Sequence, residues 1–195
     1  MSRSFFLNME LEYIRSFLER VDRSVEHDCL EIARRAEAGE FTDEDDENNA
    51  YFDPTMSEEI AVRAALGELN ALVEQALQHV AAKPLAREQV RKKPKRNKMA
   101  WDLKRDDLHL VIGNYYQISI DDLPGSTVID EIRRTVNAYK HRGGFKDPRR
   151  DTDSAFFPEK FQLERERVFH QIESVHSFLN ALWVATMKQQ ATQSE

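Results

Sequence analysis

Residues 126–145, STVIDEIRRTVNAYKHRGGF, decide the fold and contain the clearest indication of function. At about 100° per residue, the apolar residues of this stretch fall within one arc of a helix. They are Val128, Ile129, Ile132, Val136 and Tyr139. Such an arc predicts a stripe that is buried against other helices. The glycine pair 143–144 follows directly and predicts the end of the helix.

The polar face of the same helix carries residue types that suit phosphodiester chemistry. Counting from Arg134, Glu131 lies at roughly +60°, Asn137 at roughly −60° and His141 at roughly −20°. Histidine can move a proton near neutral pH, and the donors of arginine can hold a phosphate. Two further basic residues stand beside them, Lys140 and Arg142. A solvated helix with a histidine favoured by the helix dipole gives the same pattern, and on these residues alone that interpretation is the default.

Composition indicates one soluble helical domain. The chain has 195 residues, enough for a real core, and a net charge of −7 argues against a protein covered by nucleic acid. Any RNA contact must therefore be local. A single cysteine, Cys29, excludes an internal disulfide and fits a reducing compartment. Neither a secretory signal nor a membrane-spanning run is present, so we expect a cytoplasmic protein that does not enter a membrane.

The N-terminal half predicts two long helices. Apolar residues recur at three- or four-residue spacing from about Asn8 to Ala38 and indicate a long amphipathic helix. A capping-box pattern, Thr55-Met-Ser-Glu58, predicts the start of a second helix that runs to about Ala82. We expect the two to pack as an antiparallel pair.

Two charged segments flank the second helix. Residues 40–53 hold seven acids and no base and predict a mobile acidic loop. A calcium loop is rejected because Asn48 and Pro54 stand where glycine and glutamate are required. Residues 83–105 hold ten Lys or Arg and two acids, and we expect Pro84 and Pro94 to prevent a helix there. This basic linker is either a phosphate-binding patch or a solvated connection.

The remaining sequence completes an all-α prediction. A short helix is expected from about Arg105 to Gln117, a capping Ser126 or Thr127 opens the helix described first, and a last helix is expected from about Glu159 to Gln190. The tail beyond it is polar and is expected to fray. No residues have metal-ligand spacing, so neither a metal nor a cofactor is expected. We therefore predict one domain over residues 1–195, a bundle of about four to five helices.

The segment IRRTVNAYKHRG, residues 132–143, resembles the signature of HEPN domains, an all-helical family found in toxins, phage-defence proteins and RNA-processing enzymes. That signature is an arginine, four to six residues, then a histidine, and six residues separate Arg134 from His141. The ending also resembles the family's frequent asparagine-x-x-lysine-histidine-glycine. One position departs, because the arginine that usually precedes the asparagine is Val136 here. Either Arg134 replaces it or the domain is inactive.

The resemblance, which covers about residues 107–185, implies a function. HEPN nucleases cleave RNA without a metal, by attack of the ribose 2′-hydroxyl on the adjacent phosphate. Arg134 would then hold the scissile phosphate, His141 would transfer protons and Asn137 would orient the site. Lys140, Arg142 and Glu131 would contact the substrate. Since one histidine does not easily act as both base and acid, the resemblance implies a homodimer, with an antitoxin-like partner holding a toxin in check.

A second interpretation remains open beside the ribonuclease. The chain could be a non-catalytic helical module, either a degenerate HEPN domain or an unrelated bundle, that binds protein or RNA through its helices and charged loops. A common cleft for Arg134, Asn137 and His141 would favour the enzyme, and burial or separation of these residues would favour the module. A metal-dependent hydrolase lacks ligands in the sequence.

Overall fold

The computed structural model of the protein describes residues 3–91, 99–147 and 159–192, and within these ranges the chain forms six α-helices and one short 3-10 helix. The helices are α1 (Arg3–Glu37), α2 (Glu44–Ala50), α3 (Phe52–Arg91), the 3-10 helix Ala100–Asp102, α4 (Arg105–Tyr116), α5 (Ser126–Arg142) and α6 (Arg165–Thr192). The predicted all-α fold class is confirmed. The centre of the basic linker, residues 92–98, the loop at 148–158 and the tail from 193 lie outside the described residues.

Contacts between Cα atoms divide the chain into two compact units. The first comprises Met1–Glu68 and Thr135–His170, and the second comprises Leu69–Arg134 and Gln171–Glu195. The boundaries fall inside α3, α5 and α6, so each of these helices contributes to both units. The single domain expected over residues 1–195 stays a prediction.

In the first unit, α1 and the first part of α3 supply most of the buried apolar side chains. These are Leu11, Leu18 and Ile32 of α1, Ala61, Val62, Ala65 and Leu66 of α3, Val136 and Ala138 of α5, and Val168 of α6. Arg165, at the start of α6, forms ion pairs with Asp22 of α1 and with Glu58 of α3, the latter at 3.8 Å. One guanidinium group therefore connects three helices of this unit.

In the second unit, the core lies between the later part of α3, α4, the start of α5 and most of α6. Its largest fully buried side chains include Leu69, Val73, Leu77, Ile112, Tyr116, Ile129, Ile132, Phe178 and Leu182. Gly125 brings the start of α5 against α6, because a Cβ at this position would lie 2.5 Å from the carbonyl oxygen of Ser174. Its φ of +80° also requires glycine.

The acidic segment 40–53 is not a loop throughout, because residues 44–50 form α2. Asp43 caps this helix by accepting from the backbone N–H of Asp46 at 2.8 Å, and Asp46 accepts in return from the N–H of Thr42 at 3.1 Å. Four acids occupy the first turn, where the helix dipole favours negative charge. The loop was predicted from the concentration of acidic residues, and Asp43 was not recognised as the N-cap of a helix.

Helix α3 begins earlier than the proposed capping box. It starts at Phe52, and both the N–H and the hydroxyl of Thr55 donate to the carbonyl oxygen of Tyr51, at 3.2 Å and 2.8 Å. Thr55 is therefore inside the first turn and does not cap it. Pro54 fits there because the first N–H groups of a helix need no intrahelical partner.

Helix α3 also continues through Pro84 to Arg91, so the predicted break at this proline is wrong. Proline removes the N–H that would donate to the carbonyl four residues earlier, which is that of Val80. The buried hydroxyl of Tyr116 in α4 donates to the Val80 carbonyl oxygen instead, at 3.4 Å. A side chain from another helix thus replaces the missing backbone donor.

Helix α6 begins at Arg165, later than the predicted start at Glu159. The residues before it are extended and pair with the segment that follows α5. The N–H of Lys146 donates to the carbonyl of Glu159 at 2.7 Å, and the N–H of Phe161 donates to the carbonyl of Gly144 at 2.9 Å. These bonds surround an isolated antiparallel bridge between Phe145 and Lys160.

Candidate functional site

The last turn of α5 presents the predicted catalytic histidine to solvent. His141 and Lys140 are both exposed, and Asn137, one turn earlier, is half-buried. The basic run 140–142 occupies the helix C-terminus, where positive charge is stabilised by the dipole. This end of the helix therefore carries a solvent-exposed imidazole beside an exposed ammonium group.

A double-glycine turn fixes the backbone just after His141. Gly143 and Gly144 have φ values of +60° and +90°, and the N–H of Gly144 donates to the carbonyl of Ala138 at 3.1 Å. A Cβ on Gly144 would lie 2.7 Å from the ring of Tyr139. The aromatic ring and the second glycine therefore hold the turn in one place.

Tyr139 is itself anchored on several sides. Its hydroxyl donates to the carbonyl oxygen of Phe161 at 3.0 Å, and the guanidinium of Arg63 lies 5.6 Å from its ring centroid. Burial, followed by the charge of Glu59, raises the pKa of the phenol, and Arg63 acts in the opposite direction. Tyr139 supports the turn as a neutral hydrogen-bond donor.

Arg142 is held by the segment after the turn. Its Nε donates to the carbonyl oxygen of Phe145 at 3.1 Å, and its Nη1 lies 4.0 Å from the carboxylate of Asp147. Of the two basic neighbours of His141, Lys140 is thus the more accessible. The contacts of Arg142 fit a role in shaping the turn.

Arg134 lies two turns before His141 and is engaged with its own helix. Its Nε is 3.3 Å from Asp130 Oδ2, while the other oxygen of Asp130 accepts from Nε and Nη2 of Arg133 at 3.2 Å and 2.7 Å. Burial would raise the pKa of Asp130, but the hydrogen bond and charge of Arg133 and the charge of Arg134 bring it below its ordinary value. Arg134 belongs to the second unit and His141 to the first.

Two other positions of the motif are used for packing. Val136, at the position of the usual family arginine, is 6% exposed and belongs to the core of the first unit. The carboxylate of Glu131 accepts from the side-chain amide of buried Gln171 at 3.3 Å, which connects α5 to α6 in the second unit. Glu131, proposed as a substrate contact, therefore also has a structural partner.

A shallow apolar groove of about 340 Å³ runs beside the end of α5 in the first unit. Its walls come from α3 and α5, and Lys140 and Arg63 are its charged members. Ile60, which also lines it, is 54% exposed. The groove gives the exposed end of α5 an apolar surface alongside its charges.

The second unit also contains a polar cavity that was not predicted from the sequence. This cavity has a volume of about 150 Å³ and is lined by Arg105, Asp106, His109, Ile120, Asp121, Ser126, Asp130, Arg133 and Phe178. The pairs 105/109 and 130/133 have the spacing of neighbours on a helix, and this was the only signal in the sequence. Their convergence depends on how α4 and α5 pack within the unit, which periodicity does not reveal.

Arg105, His109 and Asp121 follow one another across this cavity. Arg105 Nε donates to His109 Nε2 at 3.4 Å, which places the imidazole proton on Nδ1, and Nδ1 lies 3.6 Å from Asp121 Oδ1. Burial, followed by the charge of Arg105, lowers the pKa of His109. Burial, followed by the charge of Arg133, lowers the pKa of Arg105. The cavity therefore holds a neutral imidazole between a cation and an exposed carboxylate.

No group of three or more His, Cys, Asp or Glu side chains in the described ranges could hold a metal ion. No described helix has the length and apolar content that a membrane span needs. Comparison of the chain with protein-family models, curated proteins and solved structures finds no match.

Proposed function

We propose that the protein is a HEPN-like, metal-independent ribonuclease that acts in the cytoplasm as a toxin or phage-defence effector. The position of His141 carries this proposal. It is exposed in the last turn of α5, beside exposed Lys140, and the glycine turn after it is fixed by Tyr139. An accessible imidazole on a rigid support, next to a cation, suits proton transfer at a phosphodiester.

In the proposed reaction, the ribose 2′-oxygen attacks phosphorus as the bond from phosphorus to the 5′-oxygen breaks. The 2′-hydroxyl loses its proton to a base, and the departing 5′-oxygen gains one from an acid. The products are a 2′,3′-cyclic phosphate and a 5′-hydroxyl. His141 performs one of the proton transfers, Arg134 stabilises the phosphorane charge and Asn137 orients the ribose. Lys140 and Arg142 hold neighbouring phosphates, with Glu131 at the edge of the same face.

The proposal includes a homodimer, because a base and an acid are both needed and each protomer supplies one His141. A dimer containing one wild-type and one His141→Ala protomer should therefore have far less than half of the wild-type activity. An antitoxin-like protein that covers the end of α5 would keep such an enzyme inactive.

A specific observation favours a second candidate, a non-catalytic module that binds protein or RNA. Arg134 is paired with Asp130, and Val136 occupies the position of the family's usual arginine in a buried state. To hold a phosphate, Arg134 must exchange Asp130 for the substrate. If that exchange does not occur, the motif keeps its helical arrangement but has no arginine available to bind the phosphate.

RNA cleavage in the presence of EDTA tests the proposal. Wild type, His141→Ala and Arg134→Ala are incubated with labelled transfer and messenger RNA, and the product ends are analysed for 2′,3′-cyclic phosphate. His27→Ala and Arg34→Ala are matched controls, since His27 is exposed on α1 and Arg34 pairs with Glu31 much as Arg134 pairs with Asp130. We expect each motif variant to lose about 100-fold or more in rate, and the controls to retain activity.

The outcome separates the two candidates. Cleavage that resists the chelator and is lost in both motif variants supports the enzyme and its two central residues. Loss of cleavage in His141→Ala together with full cleavage activity in Arg134→Ala would show that Arg134 is not part of the active site. No cleavage by a folded, dimeric wild type would instead support the binding module.

A further inference from the structure

The polar cavity of the second unit has no role in the proposed ribonuclease, yet its lining has the features of a ligand site. Arg105 comes from the first turn of α4, His109 from the next turn, and Arg133 from α5. The side chains of Ile120 and Phe178 supply apolar wall. Two guanidinium groups and one imidazole thus converge on one small space from two helices.

The donors of the two arginines are under-used. Arg105 makes one hydrogen bond to a described residue, from Nε to His109, and its Nη1 is buried without a partner among those residues. Arg133 uses Nε and Nη2 for Asp130, so its Nη1 makes no hydrogen bond within the described part of the chain. A guanidinium offers five N–H donors, and a buried donor left unsatisfied is costly.

The nearby carboxylates do not neutralise this space. Asp130 is shared between Arg133 and Arg134, so its charge is already compensated twice. Asp121 is 87% exposed and Asp106 is exposed, so water screens both. Burial first, and then the charge of Arg133, lowers the pKa of Arg105, while Asp130, Glu74 and Asp106 act in the opposite direction. An anion inside the cavity would therefore be attracted.

The size and geometry of the cavity favour a particular anion. A volume of about 150 Å³ is comparable to that of engineered cavities that hold one benzene molecule, which has about six heavy atoms. A phosphate group has a similar number of heavy atoms, and its tetrahedral oxygens can accept from donors that approach along different directions. Arginine forks are also the preferred donors for phosphate in proteins.

We propose that this cavity binds a phosphate group through Arg105 and Arg133, with His109 taking up a proton when the phosphate is bound. The imidazole then loses the hydrogen bond from Arg105 and becomes a third cation beside the ligand, in addition to the two guanidinium groups. The phosphate comes either from free inorganic phosphate or from the phosphate end of a small monoester whose remainder extends past exposed Asp121. Binding and protonation are coupled, since each anion bound stabilises the charged imidazole.

NMR titration of the full chain at constant ionic strength tests the proposal. Inorganic phosphate is added in place of sodium chloride, and the ring signals of His109 and the Nε–H signal of Arg133 are followed. We expect saturable shifts at both residues and a higher pKa of His109 with phosphate than without it. Adenosine 5′-monophosphate and ribose 5-phosphate are titrated separately. If either binds more tightly than inorganic phosphate, the ligand is a phosphate monoester.

Variants make the test specific. Arg133→Gln and Arg105→Lys should each weaken phosphate binding by about tenfold or more, because each removes a charge-assisted hydrogen bond. Arg34→Gln is the matched control, since it removes a similar i,i+3 ion pair on α1 and should leave binding unchanged. Rescue of part of the affinity by Arg133→Lys is expected, as it restores charge without the fork.

Three results would overturn the proposal. Shifts that do not saturate, or that sodium chloride reproduces, would show screening without binding. Equal phosphate affinity in the wild type and in folded Arg133→Gln would show that Arg133 does not bind the phosphate. Tighter binding of acetate than of phosphate would contradict the assigned ligand. RNA cleavage is a separate readout, so either proposal can fail while the other stands.

Discussion

The two ends of α5 are both anchored through glycines but differ in how their charges are used. At the first end, Gly125 packs against the backbone of α6 in the second unit, and Asp130 and Arg133, which follow it, are paired with each other. At the last end, Gly144 packs against a ring in the first unit, but His141 faces solvent. A closely packed glycine therefore accompanies paired charges at one end of the helix and an exposed histidine at the other.

This difference suggests a division of labour along one helix. The paired charges Asp130 and Arg133 hold each other in place and contribute to the electrostatics of the polar cavity. A charge that points to solvent from a fixed backbone is preorganised for a substrate, because little conformational entropy remains to be lost at the backbone. If the glycine contacts restrain each end and the paired charges stabilise the fold, substitutions at these positions should change the free energy of unfolding.

The largest effect is expected at the first end of α5. Gly125→Ala would place a Cβ 2.5 Å from the Ser174 carbonyl oxygen, at a φ of +80°. We expect a loss of about 3 kcal/mol in the free energy of unfolding, roughly 1 from the positive φ and 2 from the clash. Urea denaturation measures it. Gly39→Ala is the control, since φ is +68° with no atom within 4 Å, and it should cost about 1 kcal/mol.

A smaller effect is expected at the last end of α5. Gly144→Ala should cost about 2 kcal/mol, because the new Cβ meets a side-chain ring that can move, whereas Gly143→Ala should cost about 1 kcal/mol since no atom lies within 4 Å. The excess should vanish in a Tyr139→Ala background. Equal costs for the two glycines in the wild type would show that the ring does not restrain the turn.

The sequence was sufficient for the parts of the fold that depend on helical periodicity. The stripe on α5 was predicted, and Ile129, Ile132 and Val136 are buried. The predicted short helix from Arg105 to Gln117 is confirmed as α4, which ends in Tyr116 with a left-handed Gln117. In each case the pattern of apolar residues alone determines which face is buried.

The sequence was insufficient where a distant contact overrides a local rule. Proline at position 84 predicts a break, and only the packing of α4 shows that Tyr116 supplies a replacement donor. The helix start expected at Glu159 was wrong because those residues pair with the strand-like segment after α5. The cavity residues Arg105 and Arg133 are 28 positions apart in sequence numbering, and no local pattern connects them.

A third test extends the comparison to α3, where the restraint is a side chain instead of a glycine. Tyr116→Phe removes the hydroxyl that donates to Val80 and should cost about 1 kcal/mol. In a Pro84→Ala background the new N–H of residue 84 can donate to the same carbonyl, so Tyr116→Phe should cost less. A double-mutant cycle by urea denaturation measures this coupling. Purely additive costs would contradict the replacement of the backbone donor.

The smallest effect concerns the paired charges in the first half of α5. Because its arginine partners hold the pKa of Asp130 below the unfolded value of about 3.9, its carboxylate stabilises the fold above that value, and this stability is lost as pH falls through the folded pKa. Asp130→Asn should therefore lower stability by a few tenths of a kcal/mol at neutral pH and flatten its decline in acid. Unfolding free energies from pH 7 to pH 3 measure both, with Asp121→Asn as the exposed control. An acid slope that is unchanged in Asp130→Asn would mean that the pairing with Arg133 and Arg134 adds nothing to stability, and the contrast between the two ends of α5 would then reduce to exposure alone.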